Sequence, residues 1–422
     1  MSAAMYQKTT LPNGIRVLTE EMPGVRSATV GIWADVGSAS ESHERRGISH
    51  LVEHMLFKGT QRRSARQIAE AMDGVGGNLN AFTDKETTCY YAKVIDRHVP
   101  LALDVLADMF LHSAFDPSEL DKEQKVVLEE IKMYEDAPDD LIHDVFLQTM
   151  WSGSNLGEPT IGFAETVVSI TPDDLRAHMR AHYAPNSVIV ACAGNVEHDR
   201  FVQLVAREFE GFDGACAPSP AEQPATTPGR HVRDKESEQA YVVLGTAGLS
   251  MRDERRYALS VLDTVLGGGM SSRLFQEIRE KRGLVYSVYS FQAAYRGAGL
   301  FGVYAGTSPA NVQACVDLVV AEFERIGTKP VGSDEFRLAQ EHLKGNLTLS
   351  LESTSSRMIR LGRNELALGR HVSTEEVERR IDAVTPEEVR ELAQELLAQE
   401  KLGLAIVGRA GELEINFTVD AA

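Results

Sequence analysis

The sequence I-T-P-D-D-L at residues 170–175 returns as V-T-P-E-E-V at residues 384–389, 214 positions further along the chain. Each copy is followed by a short apolar run, V-I-V-A-C-A-G at residues 188–194 and L-G-L-A-I-V-G at residues 402–408, at the same offset. Two pairs of matching segments at one spacing indicate that the second half of the chain repeats the fold of the first.

Earlier parts of the two halves also match. H-E-R-R at residues 43–46 corresponds to D-E-R-R at residues 253–256, 210 positions later. Each of these tetrads follows an apolar, strand-like run, at residues 28–34 and 240–246. Four matches in the same order, with nearly constant spacing, indicate a tandem duplication.

The stretch between the copies, residues 215–230, is rich in Pro, Ala and Thr and lacks apolar periodicity, which is typical of a linker. The sequence therefore predicts one domain over residues 1–214 and a homologous domain over residues 231–422. Strand-like and helical segments occur in each copy without a parallel β-α-β rhythm. This pattern predicts an α+β fold, in which each domain is a mainly antiparallel sheet with helices packed on one face.

The first copy has the clearest elements. Two strands, at residues 15–19 and 28–34, are predicted to pair with each other. The other predicted elements are a strand at residues 89–94 and helices at residues 64–72, 99–111 and 116–134.

The segment H-L-V-E-H at residues 50–54 has the spacing of a metal site. On a helix, positions i, i+3 and i+4 share one face, so both imidazoles and the Glu53 carboxylate converge. Two neutral imidazole nitrogens suit Zn²⁺, and an adjacent Glu can deprotonate a water molecule, as in the inverzincin pattern H-x-x-E-H. At an offset of 210 the second copy has Ser260, Asp263 and Thr264 instead. It is therefore predicted to keep the helix and to lack the metal.

A catalytic zinc ion usually has three protein ligands, so two histidines leave one ligand to be identified. The predicted helix at residues 116–134 offers Glu123 and Glu130, which are seven residues apart and share a face. One of them can be the third ligand, while the other forms a hydrogen bond to a ligand or to the water. The spacing leaves open which carboxylate does which.

The longer segment H-L-V-E-H-M-L-F-K-G-T, at residues 50–60, resembles the pitrilysin family of zinc metallopeptidases, and within it bacterial relatives of the β subunit of mitochondrial processing peptidase. The resemblance covers the whole chain, including the second copy without ligands. It implies that Glu53 is the general base and Glu123 an auxiliary catalytic carboxylate. The implied ligands of one Zn²⁺ per chain are His50, His54 and Glu130.

The resemblance also implies a place for the substrate. The segment G-G-N-L-N-A-F-T at residues 76–83 is similar to the family's edge strand beside the zinc ion, and Asn80 and Ala81 are the implied substrate-binding residues. An exposed edge accepts an extended peptide as an added strand through main-chain hydrogen bonds.

In the second copy, Arg279 and Tyr286 are seven residues apart, as in the family. There an Arg and a Tyr at this spacing bind the substrate carbonyl, and both side chains are suitable donors to a developing oxyanion. Arg282, four residues before Tyr286, is a competing candidate, and the sequence does not choose between the two arginines.

The resemblance implies an assembly as well. In the family, four homologous domains enclose a chamber like a clamshell, and this chain supplies two of them, or one half. A homodimer is the simplest completion, and a heterodimer with a related subunit is the alternative that the sequence leaves open.

The net charge of −19 argues against nucleic acid as a partner and favours basic or neutral peptides. The apolar runs are too short to cross a bilayer, the N-terminal residues lack the apolar core of a signal peptide, and the cysteines are scattered. These features predict a cytoplasmic protein that does not enter membranes.

The sequence therefore predicts a zinc-dependent endopeptidase that cleaves peptides or unfolded segments inside an enclosed chamber. The alternative is a non-catalytic subunit of the same fold, either structural or peptide-binding. A metal other than zinc at the same ligands also remains open.

Overall fold

The computed structural model describes residues 5–219, 221–409, 411 and 415–417; the first four residues of the N-terminal segment considered above lie outside this range. The chain forms two compact units, each built from three stretches of sequence. Unit 1 consists of Met1–Ile131, Pro159–Pro220 and Ser350–His371, and unit 2 of Lys132–Glu158, Ala221–Leu349 and Val372–Ala422.

Within the described residues, eleven strands form two sheets. In chain order they are β1 (Met5–Thr10), β2 (Arg16–Glu21), β3 (Ser27–Ala34), β4 (Asn78–Thr83), β5 (Thr88–Ile95), β6 (Val188–Gly194), β7 (Arg230–Asp234), β8 (Ala240–Ala247), β9 (Val285–Ala294), β10 (Gly299–Thr307) and β11 (Gly403–Gly408).

The described residues also form α-helices. In chain order they are α1 (Ile48–Leu56), α2 (Ala65–Asp73), α3 (Val99–His112), α4 (Pro117–Glu135), α5 (Pro138–Met150), α6 (Ala164–Ser169), α7 (Pro172–His182), α8 (His198–Glu208), α9 (Arg256–Gly267), α10 (Val312–Thr328), α11 (Ser333–Ser350), α12 (Thr354–Leu368), α13 (Thr374–Ala383) and α14 (Pro386–Leu396). Among the described residues, no helix combines the length and the apolar character that crossing a bilayer requires.

The two sheets have the same topology. Unit 1 has the strand order β1-β2-β6-β3-β5-β4, and unit 2 has the order β7-β11-β8-β10-β9. Apart from β1, the orders correspond strand for strand, and each sheet has one parallel pair at the same place, β2 with β6 and β7 with β11. The predicted α+β class with two homologous tandem domains is confirmed.

The repeated T-P motif has the same structural role in both copies, at the starts of α7 and α14. Thr171 caps α7, with its hydroxyl accepting from the Asp174 N–H and its own N–H donating to the Asp174 carboxylate at 2.9 Å. Thr385 and Glu388 form the same capping box on α14. Such a box satisfies backbone donors that a helix start leaves unpaired, which explains why the motif marks both copies.

The predicted pairing of the first two apolar strands, at residues 15–19 and 28–34, is wrong. They correspond to β2 and β3, and β6 lies between them, parallel to β2 and antiparallel to β3. Every residue of β6 is buried, so this strand gains most by taking the centre of the sheet. Because β6 lies far from β2 and β3 along the chain, the sequence did not predict this arrangement.

Helices cover both faces of the sheet in unit 1, instead of the one face that was predicted. Val30 and Ile32 of β3 belong to the core shared with α1 and α3, whereas Trp33 points to the opposite face and packs against Met358 of α12. The Trp33 indole nitrogen lies 3.3 Å from the Met358 sulfur. Because nearly all of β3 is buried, both of its faces need a cover.

Unit 2 has a corresponding helix on the second face of its sheet, and this helix comes from the first half of the chain. Phe146 and Met150 of α5 pack so closely on the sheet that a Cβ at Gly245 would meet the Phe146 ring at 2.8 Å. The helices α5 and α12 begin 216 positions apart, close to the offset of the repeat. The copies have thus exchanged equivalent helices.

The exchange makes the compact units different from the predicted division of the chain at residues 215–230. The described residues 215–219 and 221–229 contain no helix or strand, and β7 begins at Arg230. The units differ from a cut at this segment in two exchanged stretches, Lys132–Glu158 and Ser350–His371. A linker composition marks where a copy ends in sequence, and it carries no information about which sheet a helix covers.

Candidate metal centre

Helix α1 presents one face to the core and the other to the candidate site. Leu51, Val52 and Met55 are buried, which leaves His50 and the Glu53–His54 pair on the opposite, partly exposed face. This is the 3.6-residue periodicity expected of the H-x-x-E-H segment.

The start of α1 is held by Glu41, a residue that the sequence analysis missed. Gly47 precedes the helix with a positive φ of 89° and makes no side-chain cap. Instead, the buried Glu41 carboxylate accepts the Gly47 N–H on Oε2 and the Ser49 N–H on Oε1, both at 2.8 Å. Glu41 satisfies the unpaired donors of the helix start from outside the helix. It has no spacing signature that would have revealed this role.

The three predicted ligands come together in unit 1. The Glu130 Oε2 atom lies 4.0 Å from His50 Nε2 and 3.6 Å from His54 Nε2. One ligand atom from each of the three residues lies within 4.8 Å of the other two. Two ligand atoms of a tetrahedral zinc ion lie roughly 3.4 Å apart, so the Glu130 oxygen lies near the distance from each histidine nitrogen that sharing one ion requires.

Glu123 lies behind His54, on the side away from Glu130. Its Oε2 atom accepts a hydrogen bond from His54 Nδ1 at 3.1 Å, and its Oε1 atom lies 2.8 Å from the Lys58 ammonium. The buried carboxylate thereby holds the proton on Nδ1 and leaves Nε2 free for a metal. Lys58 is not among the residues that the sequence predicts for the site.

The electrostatics of the site fit a zinc ion. Burial and, to a smaller extent, the neighbouring His54 together lower the pKa of His50 to about 4, so the His50 imidazole is neutral at physiological pH. Two imidazole nitrogens and one carboxylate oxygen are a donor set typical of catalytic zinc. The residues present therefore fit the group that the sequence predicts.

Glu53 stands beside this cluster. Its Oε2 atom accepts a hydrogen bond from the Thr83 hydroxyl at 2.6 Å. Burial raises the pKa of Glu53, and the Thr83 bond and the nearby His54 oppose that rise. A carboxylate with a raised pKa holds a transferred proton better, which suits a general base. Thr83 belongs to the predicted edge strand, but no feature of the sequence connects it with Glu53.

Strand β4 lies at the edge of its sheet, as the sequence predicts for this segment. In the described part of unit 1, β4 pairs only with β5, and Asn80 and Ala81 lie opposite Tyr91 and Tyr90. The other side of β4 therefore offers backbone groups to an added strand. The Thr83 bond shows that this strand ends beside the face of α1 that carries Glu53.

The corresponding helix of unit 2, α9, has no ligand set among the described residues. The Ser260 and Thr264 hydroxyls donate to backbone carbonyls of their own helix, at 3.0 and 2.9 Å. Asp263 accepts hydrogen bonds from Ser290 and from Gln292 of β9. The polar groups at the positions of the H-x-x-E-H segment are thus satisfied within the fold.

Arg279 and Tyr286 of unit 2 contact each other. The Arg279 guanidinium carbon lies 5.6 Å from the centre of the Tyr286 ring, and Tyr286 is 78% exposed. Arg282 instead donates to Glu277, to the carboxylate at 2.7 Å and to the carbonyl at 2.8 Å. The structure thus brings Arg279 to Tyr286 and ties Arg282 to its own helical turn.

Two family models match successive parts of the chain. Residues 16–163 match the family model described as insulinase, peptidase family M16, and residues 169–343 match the model described as peptidase M16 inactive domain. Two solved structures share the fold over nearly the whole chain. A peptidase M16 inactive domain from Pseudomonas fluorescens has a TM-score of 0.90 at 21% identity and covers 97% of this chain and 99% of its own. A protease from Helicobacter pylori has a TM-score of 0.90 at 22% identity, with coverages of 96% and 100%.

Three relatives are each named as an uncharacterized zinc protease. The protein from Bacillus subtilis is 44% identical over 97% of this chain and 100% of its own length. The protein from Streptomyces coelicolor is 45% identical over 98% and 92%, and that from Mycobacterium tuberculosis is 42% identical over 97% and 94%. The predicted family is thereby confirmed: the chain belongs to peptidase family M16, the insulinase or pitrilysin family of zinc metallopeptidases.

Proposed function

We propose that this chain is a zinc endopeptidase in which His50, His54 and Glu130 hold one zinc ion. The convergence of these three side chains around a common point, with Glu53 beside them, carries the proposal. The relatives at 42–45% identity that are named zinc proteases support it. A zinc ion bound there supplies a Lewis acid for the scissile carbonyl and acidifies a water molecule.

The residues of the chain have separate tasks in this proposal. Glu53 takes the proton of the attacking water and passes it to the leaving amine. Thr83 holds one oxygen of Glu53. Glu123 orients the His54 ring through Nδ1. It is therefore proposed as a positioning residue and not as a second base.

The proposed substrates are peptides or unfolded segments, because the edge of β4 accepts an extended backbone whatever its side chains. Asn80 and Ala81 form the part of that edge that the substrate pairs with. The net charge of −19 favours basic segments, as in a processing peptidase. Equal cleavage rates for a basic peptide and its neutral counterpart would remove the charge argument.

Arg279 and Tyr286 are proposed to bind the substrate carbonyl. Since Arg282 is tied to Glu277, it serves as the matched control. The variant Arg279→Ala is expected to lower kcat, whereas Arg282→Ala leaves kcat near that of the wild type. The reverse result would assign the role to Arg282.

The proposed working form is a cytoplasmic dimer that encloses a chamber, with a second copy or a related subunit as the other half. Analytical ultracentrifugation of the purified chain separates these possibilities. A homodimer with activity supports the first, and a monomer without activity supports the requirement for a related subunit.

The decisive experiment measures zinc content and cleavage of a mixed library of unfolded peptides for the wild type and for Glu53→Gln. One zinc ion per chain in both proteins, with cleavage only by the wild type, is the expected result. Zinc without cleavage in either protein, also after addition of candidate partner subunits, would favour a non-catalytic peptide-binding subunit. Absence of both zinc and cleavage would favour a structural subunit.

A further inference from the structure

Thr83 lies at the point where the edge strand meets the helix of the proposed general base. It is the last residue of β4, opposite Thr88 of β5. Its hydroxyl donates to Glu53 Oε2 at 2.6 Å, across 30 residues of chain. The bond therefore connects the strand that is proposed to receive the substrate with the side chain that is proposed to take the proton.

The direction of this hydroxyl is set by the backbone. A Thr side chain is β-branched and has few χ1 rotamers, so the position of its Oγ1 atom follows from that of its strand. The turn after Thr83 is pinned, because the Asp84 carboxylate accepts the N–H groups of Glu86 and Thr87 at 2.9 and 2.7 Å. Thr83 is thus a rigid donor on a fixed strand end.

The second copy contains the same contact. Asp263 of α9 is the counterpart of Glu53, and the Ser290 hydroxyl of β9 donates to its carboxylate. β9 has the same place in its sheet as β4. A hydroxyl from the edge strand therefore holds the helix carboxylate in both copies, whether or not the helix carries histidines.

We infer that Thr83 is a positioning residue for Glu53. It fixes the rotation of the carboxylate through Oε2 and so directs the other oxygen at the water. Because Thr83 is the last residue of β4, the strand that is proposed to pair with the substrate also holds the proposed base in place. This inference rests on the proposed peptidase function.

The test compares Thr83→Val, which keeps the shape and removes the hydroxyl, with Thr83→Ser, which keeps the hydroxyl. A misplaced reacting group costs up to roughly 100-fold in rate, so Thr83→Val is expected to lower kcat by about 10- to 100-fold. Its KM and zinc content are expected to stay those of the wild type. Thr83→Ser is expected to restore most of kcat, which a purely structural loss would not predict.

Ser290→Ala is the matched control, because it removes the same contact in the second copy. It is expected to lower the thermal midpoint while leaving kcat near that of the wild type. The inference is overturned if Thr83→Val keeps the wild-type kcat, if Thr83→Ser is as slow as Thr83→Val, or if Ser290→Ala slows cleavage equally. A zinc-loaded wild type that cleaves no peptide would instead refute the proposed function, and the inference would fall with it.

Discussion

Glu123 and Glu130 share one face of α4, yet they meet opposite nitrogens of the same imidazole. Glu123 bonds His54 Nδ1 at 3.1 Å, and Glu130 faces His54 Nε2 at 3.6 Å. Their spacing of seven residues predicted a shared face and could not assign the two roles. The two roles follow from the way α1 packs against α4, because the His54 ring lies between the two carboxylates.

This geometry predicts the effect of removing the charge behind His54. Glu123→Gln should weaken zinc binding by about 10- to 100-fold, because the carboxylate that orients the ring and raises its basicity is lost. The loss also leaves Lys58 without the partner it has at 2.8 Å. Competition with a chromophoric chelator measures the affinity.

Glu119→Gln is the control for this prediction. Glu119 lies on the same helix and pairs with Lys122 at the surface, so its substitution should leave the affinity unchanged. An equal loss in both variants would mean that the effect is one of helix charge and not of ring orientation.

At the scale of the element, α1 depends on a residue outside itself. The helix begins at a glycine with positive φ, without a side-chain cap of its own. Glu41 supplies the missing acceptors from a neighbouring segment. A change at Glu41 therefore acts on the helix that carries His50, Glu53 and His54, although it touches none of the three.

Glu41 predicts a pH dependence of stability. Burial raises its pKa from 4.5 to about 7, against the opposing effect of the bonds to Ser49 and Gly47. The folded chain then holds this proton more tightly than the unfolded chain does. The contribution of this proton to the free energy of unfolding is fully present below about pH 4.5 and is lost as the pH rises through about 7. The loss is at most about 1.4 kcal/mol per pH unit.

The measurement is the thermal midpoint of the wild type and of Glu41→Gln at pH values from 5 to 8. Because Gln does not ionise, the wild type should lose stability relative to the variant as the pH rises. A difference that is constant with pH, or one that grows in favour of the wild type, would show that the hydrogen bonds outweigh burial and that the pKa of Glu41 is not raised.

At the scale of the whole molecule, the two copies have exchanged equivalent helices. α12 covers the Trp33 face of the first sheet, and α5, from the first half of the chain, covers the second sheet. Neither half of the sequence therefore contains all the helices that its own sheet needs. A sheet face with buried side chains such as Trp33 is exposed to water once its helix is absent.

The exchange predicts that the halves fold only together. Residues 1–220 alone, and residues 221–422 alone, should show no cooperative thermal transition and should expose apolar surface to a hydrophobic dye. Co-expression of the two fragments is the control, since it restores both exchanged helices, and it should recover cooperative unfolding and zinc binding. Cooperative unfolding of residues 1–220 alone, at the midpoint of the full chain, would contradict the prediction.

Local patterns determined much of this protein. The spacing of His50, Glu53 and His54 on a helix, and the repetition of capping and strand segments at a constant offset, follow from helix periodicity and from the order of the chain. These properties do not depend on the rest of the fold. They sufficed for the α+β class, the two copies and the shared helix face of His50, Glu53 and His54.

Tertiary structure alone decided the remaining features: the place of β6 between β2 and β3, the exchange of α5 and α12, and the roles of Glu41 and Thr83. Each of these is a contact between segments that no short period relates, such as the bond from Thr83 to Glu53 across 30 residues. Such contacts are selected by burial and by the need to satisfy buried polar groups. Those demands act on the folded molecule and leave no periodic trace in the sequence.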